Sequence, residues 1–204
     1  MAKQVARQLG YLYVDSGALY RGVTWKALKD GIPTNDASRV RQMLPAFPME
    51  FSREDGAVKY RIEGVDPGIE IRTEAVNSHV SQIAATPEVR DQVNAWLRDM
   101  TKLGDLVVEG RDIGTGVFPN ADHKFYLDAS PEERARRRYR EMGQQEKGLD
   151  EARVGESLKK RDTIDSTRSK DPLKVAADAV RIDSTGLEAE DVVRFVLERV
   201  RVKR

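Results

Sequence analysis

Short β-rich runs that stop in a charged turn and pass at once into helical periodicity constrain this chain more than any other feature. Tyr11-Leu12-Tyr13-Val14 runs into Asp15-Ser16-Gly17 and then Ala18-Leu19-Tyr20. Leu106-Val107-Val108 is wholly apolar and leads into Glu109-Gly110-Arg111-Asp112. Residues 124–127 form a further strand-like run before Asp128-Ala129-Ser130-Pro131-Glu132-Glu133, where Pro131 suits the first helical position. A short run apolar at every position fits a strand covered on both faces, as in parallel sheets. Strands alternating with helices therefore predict an α/β fold built on a parallel sheet flanked by helices.

The rest of the chain fills in around that core. Residues 2–9 read as a helix ending at Gly10, and the helix opened at Asp15-Ser16-Gly17 runs to Lys29, closed by Gly31 and Pro33. Residues 34–72 differ in texture. A helix over 36–44 is followed by strands at 50–52 and 58–62, joined across Glu54-Asp55-Gly56, a hairpin signal. Helical periodicity returns over 74–84 and from Pro87 to Met100. Residues 130–170 carry 12 basic and 9 acidic side chains in 41 positions, too many to build much core. A last strand at 180–183 and an amphipathic helix over 187–202 complete the pattern. The expected division is a core of 1–33, 73–129 and 171–204, a small antiparallel insertion of 34–72, and a charged helical module of 130–170.

Composition removes several classes of function. Apolar residues are 39% and charged residues 34% of 204, too apolar for disorder and too charged for a membrane protein. No apolar run approaches the ~20 residues of a spanning helix. The opening Met1-Ala2-Lys3-Gln4 is not a secretory signal. With no cysteine, thiolate nucleophiles and thiolate metal sites are excluded, and His79 and His123 are too few for a histidine zinc site. A net charge of +1 offers no general field for nucleic acid. The expectation is a cytoplasmic protein, monomeric by default, with neither membrane nor nucleic-acid partner and no metal-ligating residues.

Three clusters set arginine beside a carboxylate near a predicted strand end or turn: Asp15-Ser16-Gly17-Ala18-Leu19-Tyr20-Arg21, Glu109-Gly110-Arg111-Asp112-Ile113-Gly114-Thr115, and Lys160-Arg161-Asp162-Thr163-Ile164-Asp165-Ser166-Thr167-Arg168. Ligands of open α/β sheets bind outside the carboxyl ends of strands. The guanidinium fork matches phosphate with two charge-assisted hydrogen bonds. Together the clusters point to a phosphorylated small molecule; the plain alternative for any one of them is local salt bridging. A fourth basic stretch, Glu133-Arg134-Ala135-Arg136-Arg137-Arg138-Tyr139-Arg140, reads either as a nucleic-acid patch or as a solvated helix with pairs such as Glu132 to Arg136 and Glu133 to Arg137. Trp25 and Trp96 read as packing residues.

These clusters, with Val117-Phe118-Pro119, Gly68-Ile69-Glu70-Ile71-Arg72 and Ser81-Gln82-Ile83-Ala84-Ala85, resemble the signature segments of the bacterial cytidylate kinases over nearly the whole chain. The resemblance implies a P-loop nucleoside monophosphate kinase fold and transfer of the ATP γ-phosphoryl group to CMP or dCMP with Mg2+, in pyrimidine nucleotide metabolism. It implies that Ser16, Tyr20, Arg21, Arg111 and Arg168 serve the acceptor nucleotide, chiefly its phosphate, that Arg161 and Asp165 lie by the ribose, and that Ser81, Arg90 and Asp112 read the base. Residues 34–72 become the monophosphate-binding insertion. Residues 130–170 become a lid, with Arg137 and Arg138 joining Arg111 and Arg168 as catalytic arginines. The alternatives are another small-metabolite kinase of the same fold, or a non-catalytic nucleotide- or RNA-binding module.

The chain departs from that family at one point. The family opens with a strand, a glycine-rich loop G-x-x-x-x-G-K-[ST] that cradles the ATP phosphates, and a helix. No such motif occurs in the 204 residues, and residues 2–9 resemble the helix that follows the loop. Either the sequence starts at an internal methionine, or the short form is real and has lost the ATP site. On both readings the 204-residue polypeptide is expected to transfer phosphate poorly and to expose the edges of neighbouring strands.

Overall fold

The computed structural model describes residues 1–143 and 150–202; residues 144–149, in the middle of the expected lid, lie outside them. The chain order is α1 (Ala2–Leu9), β1 (Leu12–Asp15), α2 (Ser16–Lys29), α3 (Ala37–Met43), β2 (Met49–Glu54), β3 (Ala57–Ile62), α4 (Glu74–Ala85), α5 (Pro87–Asp99), β4 (Leu106–Glu109), β5 (Phe125–Asp128), α6 (Pro131–Gly143), α7 (Glu151–Thr167), β6 (Val180–Asp183) and α8 (Ala189–Val202). Gly10 ends α1 in the left-handed region at φ 72°, where its amide satisfies carbonyls of the last turn. No turn separates β1 from α2. Asp15 is both the last strand residue and the helix cap, its carboxylate accepting from the Ala18 amide at 3.1 Å.

The strands form two sheets. One has the order β2-β3-β1-β4 and the other pairs β5 with β6. β1 and β4 run parallel in a four-residue register from Leu12↔Leu106 to Asp15↔Glu109. The hairpin of the insertion is not a separate layer, because β3 pairs parallel with β1 at Tyr13↔Ala57 and so extends the core sheet. Among the described residues no strand pairing joins β4 to β5. A cavity of about 1950 Å³ lies between them, lined among others by Val107, Val108, Phe125, Leu127 and Val196.

The main core lies over the β1–β4 half. Val14, Leu19, Val23, Val89, Val93 and Leu97 are buried together there. Trp96 joins this core against Phe47 and Phe51, with ring centroids 5.5 and 6.0 Å away. A second cluster collects Val5 of α1, Ile182 of β6 and the apolar stripe of α8, with Val107 and Phe125 against it. α8 thus bridges beneath both sheets. Among the described residues no helix is long and apolar enough to cross a membrane.

Candidate active site

The ends of β1 and β4 bring the first two arginine clusters together. Ser16 begins α2 and donates to the carbonyl of Glu109 at 2.7 Å, which ties the two strand ends to each other. Gly110 sits against that bond. A Cβ there would overlap Ser16 Oγ and lie 2.7 Å from Ile113 Cγ1, so the close approach requires glycine. Asp112 follows, buried before a π-helical turn over Ile113–Val117.

From Asp112 a chain of alternating charges crosses the molecule. Its Oδ1 accepts from Arg168 Nη2 at 2.9 Å and its Oδ2 from Arg90 Nη2. Arg168 also donates to Asp165 Oδ1 at 3.0 Å and to the Asp171 carbonyl. Asp165 Oδ2 lies 3.2 Å from Arg111 Nε, and Arg111 Nη1 donates to Asp162 Oδ1. Asp162 Oδ2 takes Arg134 of α6. The network therefore runs from α5 through the loop after β4 to α7 and α6. Arg90 is 1% exposed, held by Asp112, by the Ala84 carbonyl at 3.2 Å and over the Tyr20 ring at 5.4 Å. Charges so buried persist only when paired.

Carboxylates do not balance every guanidinium. Arg21 is buried, donating to Asn77 Oδ1 at 2.5 Å and the Ile71 carbonyl at 3.4 Å, both neutral acceptors. Burial, and then Arg161, Arg138 and Arg72, pull its pKa down to about 10, so it stays charged at neutral pH. Arg161 is lowered likewise, by burial first and then by Arg111. Arg72, Arg138 and Arg161 thus lie near enough to Arg21 to depress it, and Arg111 and Arg138 near enough to Arg161 to do the same, although each of these four also has a carboxylate partner. Burial also pushes the Tyr20 phenol well above its ordinary pKa, keeping it neutral.

The expected site residues fall into place unevenly. Arg21, Arg90, Arg111, Asp112, Arg161, Asp165 and Arg168 share the network or its rim, and Ser16 and Tyr20 support it. Ser81 stands half-buried on α4. The two lid arginines part company. Arg138 lies close enough to depress Arg21 and pairs with Glu141 at 3.1 Å. Arg137 points to the opposite side, donating to Glu133 Oε1 at 2.8 Å, Ser184 Oγ at 3.0 Å and the Ser184 carbonyl at 2.7 Å. The expected Glu133–Arg137 pair forms, but Arg136 turns to Glu133 rather than Glu132. Glu132 instead bonds at the helix start, to its own amide and Ser130. His79 is half-buried on α4, its Nδ1 2.7 Å from the Ala75 carbonyl, and Trp25 donates to Glu70 at 2.7 Å. Arg72, Arg134 and Asp162 lay inside quoted motifs without a role. Their partners, Asp15 at 3.1 Å for Arg72 and Asp162 for Arg134, are distant in sequence, so no spacing rule would have found them.

A mostly parallel sheet flanked by helices, with arginines converging at the strand ends, defines a nucleoside monophosphate kinase of the P-loop class. The cytidylate kinase family matches residues 1–202, and this chain belongs to it. A cytidylate kinase of Streptococcus suis strain 05ZYH33 is 39% identical over 98% of this chain and 90% of its own length. One from Shouchella clausii is 43% identical over 98% of this chain and 89% of its own, and one from Pelotomaculum thermopropionicum is 38% identical over 100% and 91%. The activity is phosphoryl transfer to CMP and dCMP, a transferase step in pyrimidine nucleotide metabolism.

Proposed function

We propose that the space faced by Arg21, Arg72, Arg111, Arg138 and Arg161 receives the phosphate of CMP or dCMP, with Arg168 and Ser16 completing its walls. The observation that carries this reading is Arg21, a buried guanidinium whose hydrogen bonds go to neutral acceptors and whose pKa is depressed by burial and then by Arg161, Arg138 and Arg72: such a group calls for an anion. On this reading Asp165 and Arg161 serve the ribose, while Ser81, Arg90 and Asp112 read the base. Both oxygens of Asp112 are engaged by arginine, yet a carboxylate has about four acceptor positions, so it can still take the exocyclic amine of cytosine. Uracil presents a carbonyl there and leaves the carboxylate without a donor, which is costly in a buried site.

Residues 34–72 act as the acceptor-binding insertion, residues 130–170 as the lid, and the rest as the core. Closing α6 and α7 over the site removes water and strengthens every charge interaction within it. Arg138 is placed to join the transferring phosphoryl group. For Arg137 to do so it must first release Ser184. Phosphoryl transfer needs positioning and positive charge rather than a covalent protein intermediate, and the arginine cluster supplies both. ATP is the donor. Mg2+ supplies charge neutralisation at its phosphates. Asp112, Asp162 and Asp165 are each engaged by arginine.

A thermal-shift titration with CMP, dCMP, UMP and AMP tests the acceptor site. A ligand at 100 times its Kd adds about 2.7 kcal/mol, a rise of roughly 5–10 °C for a domain of this size. CMP and dCMP are expected to produce it. An equal rise with UMP or AMP would refute the role of Asp112.

A further inference from the structure

Asp162 holds an unusual position in the network. It projects from α7 and gives one carboxylate oxygen to Arg111 of the core and the other to Arg134 of the lid helix α6. Two guanidinium groups from different elements would repel if left side by side, so an anion between them is required for the observed arrangement. Burial raises the carboxyl's pKa, but the hydrogen bonds from Arg134 and Arg111 outweigh it and hold the group ionised below its ordinary range. Arg111 is also the residue through which α7 touches the core twice, at Asp162 and Asp165. Arg161 stands close by, lowered by burial and then by Arg111, with Asp162 among the charges acting on it. With Asp165 on its other side, Asp162 thus fills a place where positive charge converges from three elements.

We propose that Asp162 is a built-in stand-in for the acceptor phosphate, holding Arg111 in the ligand-free chain and giving it up when the nucleotide arrives. This rests on the reading above that Arg111 belongs to the phosphate site. The dianionic phosphate offers Arg111 a more highly charged bidentate partner than a monoanionic carboxylate. The exchange frees Asp162 to remain with Arg134 alone and unfastens one of the two ties that Arg111 makes to α7. Asp162 therefore acts as a positioning residue. It prevents the collapse or scattering of the arginines while the site is empty, and it lowers affinity for phosphate by competing for one of them.

The sign of the effect separates this role from a structural one. Calorimetric titrations of the 204-residue chain and of Asp162→Asn are made with CMP and with cytidine, which has the base and ribose but no phosphate. Asp162→Asn keeps the shape of the side chain and removes its charge. It is expected to bind CMP about three- to tenfold more tightly than the parent while its cytidine affinity stays within a factor of two. Asp162→Glu, which restores the charge, is expected to return CMP affinity toward that of the parent. If Asp162→Asn binds CMP equally or more weakly, the stand-in role is overturned. If the parent itself binds CMP no more tightly than cytidine, the phosphate-site reading fails, and this inference with it. Should Asp162→Asn not fold, Asp162→Ser serves the same comparison.

Discussion

Strand β4 meets β1 on one side and β5 on the other, and the two sides are built differently. Toward β1 there is a four-residue parallel ladder, and the apolar core above it is buried completely at Val23, Val89, Val93 and Leu97. Toward β5 there is, among the described residues, a cavity of about 1950 Å³ instead of a ladder, with α1 and α8 forming a floor that both sheets share. One end of the arginine network hangs from the well-packed side, with Arg90 on α5, Asp112 after β4 and Arg168 at the end of α7, while its other end, Arg111, Asp162 and Arg134, borders the cavity. Preorganised charge needs a rigid support, because a guanidinium displaced by an ångström loses its partner. The Arg90–Asp112–Arg168 end of the network therefore depends on the well-packed half of the fold, and packing changes in the other half should leave that end nearly untouched.

The strongest way to break that contrast is Arg90→Met. Removing one partner of a buried pair leaves Asp112 short of a counter-charge, at a cost of about 3–5 kcal/mol. Denaturant unfolding should show this as a fall in midpoint, and scanning calorimetry as a Tm lower by roughly 10 °C. A loss below about 1 kcal/mol would mean that the network contributes little to holding the acceptor half together.

A matched pair of core truncations sharpens the comparison. Val93→Ala and Val196→Ala make the same change within helices, so helix propensity cancels. Val93 is fully enclosed, and its loss should cost about 2.5 kcal/mol, the transfer of the lost methyl groups plus a new void. Val196 already borders the cavity and should cost about 1.5 kcal/mol, the transfer part alone. Urea midpoints of the two variants decide it, and equal losses would show that the β5–β6 half packs as tightly as the other. CMP affinity should fall only in Val93→Ala.

The smallest expected effect is on acid stability. The folded pKa of Asp162 lies below its unfolded value, so its contribution is present above the ordinary carboxylate range and is lost as pH falls through the lowered value. Unfolding followed from pH 6 to pH 3 should decline more steeply for the parent than for Asp162→Asn. Parallel curves would mean that the bonds from Arg111 and Arg134 add nothing to stability.

Much of this was legible in the chain. The start of β4 was plain from Leu106-Val107-Val108, and α5 from Pro87 onward, because apolar periodicity and helix-start residues are local signals. The turn expected after β1 was not found, since Asp15 caps α2 without leaving the strand. The insertion's hairpin was legible, but not its parallel junction with β1, because a single pairing at Tyr13↔Ala57 has no sequence signature. Arg21, Arg111 and Arg168 could be named from their motifs. That Arg138 faces them while Arg137 turns away to Ser184 could not.

The sequence by itself determined which residues carry charge, where helices begin and end, and that strands alternate with helices, all of which depend on neighbours within a few positions. Tertiary structure alone decided which carboxylate neutralises which arginine across the network. Asp162 meets Arg111 across 51 positions and Arg90 meets Asp112 across 22, and charges that far apart along the chain have no interaction until folding removes the water between them.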